Sequence, residues 1–218
     1  MRVAPQVILT ENQERTLHQW ARGRSLPARQ VGALKRSSAK FDTLEGEFAK
    51  LPEHLTWVFT QLAQAMDSLA AELTAQEEVT LLAGGFYYPA AVHAASLLSR
   101  LGGVRAEAVN ATALLPSEMA SFVRHKTLLV ISGSRVRVKK QVHELVETAK
   151  RSGARILSLT DGNDPEISRR STFSLLLPLL GEMTGASMAN AVLAWVAGQC
   201  SRHGKRALGR AARPESAP

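Results

Sequence analysis

Apolar positions along the chain follow two rhythms. Between residues 52 and 75, Leu55, Val58, Phe59, Leu62, Ala65, Met66, Leu69 and Leu73 recur at helical spacing, which predicts one long amphipathic helix. Pro52 stands at its start, where a proline suits the first helical position. From Val79 the rhythm changes to short apolar runs alternating with helical stretches. VTLLAGG (79–85) reads as a strand closed by two glycines, followed by a helix from Ala90 to Leu101. Val104 to Val109 is a second strand and Pro116 to Val123 a short helix. Ala154 to Leu159 is a fourth strand, closed by the turn signal of residues 161–165, DGNDP. Glu166 to Arg170 is a brief helix, Thr172 to Leu177 a fifth strand, and Thr184 to about Ser201 the last helix.

The third strand is the clearest unit. In TLLVISGSRVR (127–137) five apolar or β-branched residues run into Ser132-Gly133-Ser134. Val138, Val142, Leu145, Val146 and Ala149 then repeat at helical spacing. A short continuous apolar run before an amphipathic helix predicts a buried parallel strand feeding a crossover helix. Five strands alternating with helices predict a parallel sheet over 79–178, covered on both faces. Ligands bind such sheets outside the carboxyl ends of the strands. There, small residues let backbone N–H groups and hydroxyls converge on an anion.

The formal charge of +8 resides at the ends of the chain. Residues 1–40 carry eight Lys/Arg against two Glu, and residues 201–218 carry five against one, which leaves 41–200 at −2. Basic ends attract nucleic acid weakly and without specificity, so nucleic acid is expected only there and not as the main role. Two short helices, Glu11 to Arg22 and Pro27 to Arg36, raise the idea of a helix-turn-helix. ILTENQERTLHQWARGRSLPARQV is weakly similar to the opening of some insertion-sequence transposases' DNA-binding region, against the plainer reading of a basic extension. One cysteine, Cys200, excludes a disulfide framework and points to a reducing, cytoplasmic compartment. Neither a signal peptide nor a membrane span is read from the chain. The expected division is a basic helical extension (1–50), a ligand-binding domain (51–202) and a disordered basic tail (203–218).

The order strand-GG, helix, strand, short helix, strand-SGS, helix, strand-TDGNDP, strand, then GEMTGAS opening a helix resembles the SIS (sugar isomerase) domain. Residues 52–202 carry the resemblance, and they are similar to one isomerase domain of glutamine–fructose-6-phosphate aminotransferase, with a divergent phosphate loop. It implies a flavodoxin-like, three-layer αβα sandwich that binds a phosphosugar and works as a homodimer, with no cofactor. The motifs carry over in part. The first loop reads Gly84-Gly85-Phe86-Tyr87, with tyrosine at the family's hydroxyl position. Ser132, Gly133 and Ser134 match the second loop, but Arg135 and Arg137 replace its glycine and threonine. In the third motif Glu182 and Ser187 survive, Met188 and Ala189 stand instead of threonine and lysine, and Thr184 with Ser187 are further substrate-binding candidates.

Cations at a helix start oppose its dipole by roughly 0.3–1 kcal/mol each when exposed. An anion held between the SGS backbone and Arg137 would offset that cost. Glu182 is the first carboxylate to consider for moving a proton between sugar carbons, and Glu118 the second. The six histidines show no metal spacing, and no GxGxxG, Walker or GxSxG pattern occurs. The expectation is a phosphosugar-binding domain without strong catalysis. The alternatives are a sugar-phosphate isomerase or aminotransferase-type enzyme and a phosphosugar-responsive DNA-binding regulator.

Overall fold

The computed structural model describes residues 44–211 except 124–125, 134–137, 162–163 and 179. Five parallel strands form one sheet: β1 (Glu78–Ala83), β2 (Arg105–Asn110), β3 (Thr127–Ser132), β4 (Arg155–Asp161) and β5 (Phe173–Leu177), in the order β2-β1-β3-β4-β5. Every residue of β3 is buried, as are all but the first of β1 and β4, because helices cover both faces. Continuous Val/Ile/Leu runs are therefore the right signature for these strands. β2 lies at the margin, with Arg105 and Glu107 exposed.

On one face pack α1 (Leu44–Gln61), α2 (Ala63–Thr74), α3 (Tyr87–Leu97) and α7 (Glu182–Ala211). Their core includes Val58, Met66, Leu69, Ala91, Val192 and Val196 against Leu81, Leu129 and Leu157. On the other face α4 (Pro116–Phe122), α5 (Lys139–Arg151) and α6 (Pro165–Arg170) cover Leu82, Leu128, Val130 and Ile156. Alternate residues along each strand serve the two cores, as the pleat requires. This is the three-layer αβα sandwich with flavodoxin-like strand order. The crossover helix α5 ends in a Schellman turn, with Ala154 N–H donating to Ala149 and Gly153 N–H to Lys150, at 3.0 and 3.1 Å. Gly153 takes φ 80° there.

Three boundaries differ from the sequence reading. The first helix does not begin at Pro52 but eight residues earlier, and Pro52 sits inside α1. A proline in a helix interior forgoes a backbone hydrogen bond, which here is the one to Phe48. Leu51 and Leu55 on either side pack against the core and hold the turn, and Thr56 Oγ1 donates to the Pro52 carbonyl at 2.9 Å. The single helix is two, divided at Leu62, although Leu62 N–H still reaches Val58 and Met66 N–H reaches Leu62. The last helix does not stop near Ser201, and residues 203–211, expected to be disordered, continue it to Ala211. His203 meets Asp67 of α2 at 3.0 Å, which ties the extended end down. The rest of the basic extension, residues 1–43, and the tail beyond 211 lie outside the described residues. The apolar stripes of α1, α2 and α7 are used inside the domain.

Candidate functional site

From β1 the chain passes outward to β2 and later returns on the other side as β3, so the strand order reverses between β1 and β3. Crevices at such a reversal, outside the strands' carboxyl ends, are where open α/β sheets bind ligands. Ala83 pairs with Ile131 in register, which brings Gly84 and Gly85 beside Ser132 and Gly133. Gly85 takes φ 58°, a turn that lets the chain leave β1 and enter α3 at once. The start of α7 arrives from β5 at the same place: a Cβ added at Gly185 would overlap the Tyr87 hydroxyl.

Tyr87 is the hub of this corner. It is 4 % exposed, and a Cβ at Gly133 would overlap its hydroxyl oxygen as well. The same Gly133 position lies 3.2 Å from Asp161 Oδ2, at the end of β4. Burial, then the Asp161 and Glu182 carboxylates, push the phenol far above its ordinary value, so it is neutral at any physiological pH. On the α5 side, a Cβ at Gly84 would overlap Val138 Cγ2 and stand 3.4 Å from the Ala111 methyl. Glycines line this crevice because side chains from other elements fill the space beside them.

Ser132 is 2 % exposed, and its Oγ lacks a hydrogen-bond partner among the described residues. Buried hydroxyls are nearly always paired, so this one marks a place for another group. Thr184 is fully buried and donates to the Gly181 carbonyl at 3.2 Å, while Ser187 donates to Met183 at 3.0 Å. Glu182 is partly buried beside Tyr87. Gly84, Gly85, Tyr87, Ser132, Gly133 and the start of α7 are therefore brought together. Ser134, Arg135 and Arg137 lie outside the described residues. Glu118 is elsewhere: it is exposed, and its Oε2 accepts the Leu115 N–H at 2.8 Å, capping α4 on the opposite face.

A second polar cluster was not read as such from the sequence, where DGNDP signals only a turn. Asp164 is fully buried. Its Oδ2 accepts from His143 Nε2 at 2.9 Å and faces Lys139 Nζ at 3.7 Å. His143 Nδ1 meets Glu166 at 2.9 Å, and Arg170 bonds Glu147 at 2.6 Å. Asp164 Oδ1 has no hydrogen-bond partner among the described residues. Asp164 precedes α6 without capping it, because its carboxylate turns to α5 instead. His143 is thereby fixed between two acids and is not placed to serve a ligand. Among the described residues no group of His, Cys, Asp and Glu is arranged for a metal ion. No helix among them is long and apolar enough to cross a membrane.

A family model described as "SIS domain" matches residues 72–198. Among solved structures, the sugar isomerase domain of the RpiR transcription factor from Sphaerobacter thermophilus superposes with TM-score 0.56 at 18 % identity, over 75 % of this chain and 96 % of that one. The E. coli CFT073 c3406 protein in complex with A5P gives TM-score 0.60 at 14 % identity, over 77 % and 94 %. The C-terminal domain of glucosamine-fructose-6-phosphate aminotransferase from Francisella tularensis gives 0.60 at 14 %, and the match spans half of its length and 80 % of this chain. At these identities the likeness is one of fold. No curated protein matches the sequence.

Proposed function

The chain belongs to the SIS domain family, and from that premise we propose that it binds a phosphosugar at the β1/β3 crevice without turning it over. The observation that carries this reading is the buried Ser132 hydroxyl at the carboxyl end of β3, which has no hydrogen-bond partner among the described residues. A phosphate oxygen would supply the missing partner, and the crevice lies where the fold presents ligands. The neighbour with A5P bound lends support. Against turnover stands the scarcity of acid–base groups: Glu118 caps α4 and His143 is tied between Asp164 and Glu166. Glu182 and Asp161 are the carboxylates beside the crevice among the described residues, and both border the neutral Tyr87 phenol. We place the protein in the cytoplasm, where the lone buried Cys200 stays reduced.

Calorimetry against phosphosugars of three to six carbons and their unphosphorylated parents tests the proposal. Saturable binding of at least one phosphate ester is expected, with Ser132→Ala weakening it by roughly tenfold, the scale of one hydrogen bond. Binding of none of the esters, or equal binding of the sugars without phosphate, would sink it. Interconversion of a bound aldose and ketose, lost on Glu182→Gln, would instead establish an enzyme.

A further inference from the structure

We propose that Tyr87 sets the size of ligand the crevice accepts: its phenol fills the half next to α7, so the site takes short, open-chain phosphosugars and turns away six-membered sugar rings. This rests on the reading that the crevice binds phosphosugars. The crevice has two halves, one on each side of the sheet. The α5 half is lined by Gly84, Ser132 and Val138, and the α7 half by Gly133, Asp161 and the Glu182–Gly185 turn.

Tyr87 enters the α7 half from the first residue of α3. Its hydroxyl reaches so far between β3 and α7 that neither Gly133 nor Gly185 has room for a Cβ. Neither glycine has a positive φ, so backbone conformation does not explain them. They make way for the phenol. A small hydroxyl residue at position 87 would leave a space about the size of the ring it replaces, and a phenol and a pyranose are of similar size. With the phenol present, both cannot fit. Burial, together with the Asp161 and Glu182 carboxylates beside it, keeps the phenol un-ionised. What the phenol leaves unfilled is bordered by the exposed Gly85 and by the Ser132 hydroxyl, which has no hydrogen-bond partner among the described residues.

Calorimetry on the full chain with glycerol 3-phosphate and glucose 6-phosphate decides it, using wild type, Tyr87→Phe and Tyr87→Ser. Wild type is expected to bind glycerol 3-phosphate at least tenfold tighter than glucose 6-phosphate. Tyr87→Phe keeps the ring and should keep that ratio. Tyr87→Ser should raise affinity for glucose 6-phosphate at least tenfold. Equal or better binding of glucose 6-phosphate by wild type overturns the size selection while leaving phosphosugar binding intact. A ratio lost in Tyr87→Phe overturns it too, since the hydroxyl rather than the ring would then discriminate. Should Tyr87→Ser fail to fold, the wild-type and Tyr87→Phe ratios decide alone. Binding of neither ester by any variant refutes both readings together.

Discussion

Two corners of the sheet's carboxyl edge are filled in opposite ways. Around Tyr87 the fit is one of shape: a neutral phenol, with the Asp161 and Glu182 carboxylates beside it, interlocks with glycines from two other elements. Around Asp164 it is ionic: a buried carboxylate is surrounded by His143 and Lys139, with Glu166, Arg170 and Glu147 further out. The first corner depends on shape, which salt does not screen. The second depends on charge removed from water, which is tolerable only while paired. Selection by size belongs in the first corner, and cohesion between α5 and α6 in the second.

The largest expected effect breaks the ionic corner. His143→Ala leaves the buried Asp164 with Lys139 as its remaining ion-pair partner among the described residues, and should cost roughly 3 kcal/mol in urea unfolding. A cost below about 1 kcal/mol would mean the surroundings already compensate the carboxylate. Next comes the shape corner. Gly185→Ala should cost roughly 1–3 kcal/mol through overpacking, and most of that cost should vanish in a Tyr87→Ser background. Additive costs would separate the glycine from the phenol.

A smaller effect is alkaline. Tyr87 titrates higher folded than the ordinary tyrosine value of 10.0. Its stabilising contribution is therefore complete below pH 10 and is lost as pH rises towards the folded value. The decline should approach about 1.4 kcal/mol per pH unit, and thermal melts of Tyr87→Phe should lack it. The smallest effect lies at the rim of the ionic corner. The hydrogen bond and charge of Arg170 hold the Glu147 carboxyl below the usual range. Arg170→Ala should return it towards ordinary values in an NMR titration, with little change in melting temperature. A large change would show that the rim, and not the buried pair, carries the cohesion.

The sheet was legible because burial on both faces writes itself as unbroken runs, as in LLVI of β3. The meeting of Gly84, Ser132 and the start of α7 was legible because loop position follows from strand order. The helix limits were not. Pro52 looks like a start, and only the packing of Leu51 and Leu55 shows that the helix runs through it. Gly133 reads as a phosphate-loop glycine, and Gly185 only as one small residue within GEMTGAS. Their clash with a tyrosine distant in sequence is a fact of three dimensions that no local pattern carries. Asp164 likewise reads as a turn residue until α5 supplies His143.

The margin strand β2 has one more consequence. It bonds to β1 on one side only; on the other, Ser99 Oγ accepts from the Ala106 N–H at 3.1 Å and donates to its carbonyl at 3.3 Å, so part of this border is already covered. Arg105 and Glu107 stand exposed along it, with Glu107 Oε1 accepting from Thr80 at 3.3 Å. A foreign strand docking there would have to strip water from both charges, which discourages edge-to-edge association. Swapping the two for threonine and valine would leave the fold in place and turn this border into a template, so that the protein, still native, would begin to assemble into ribbons.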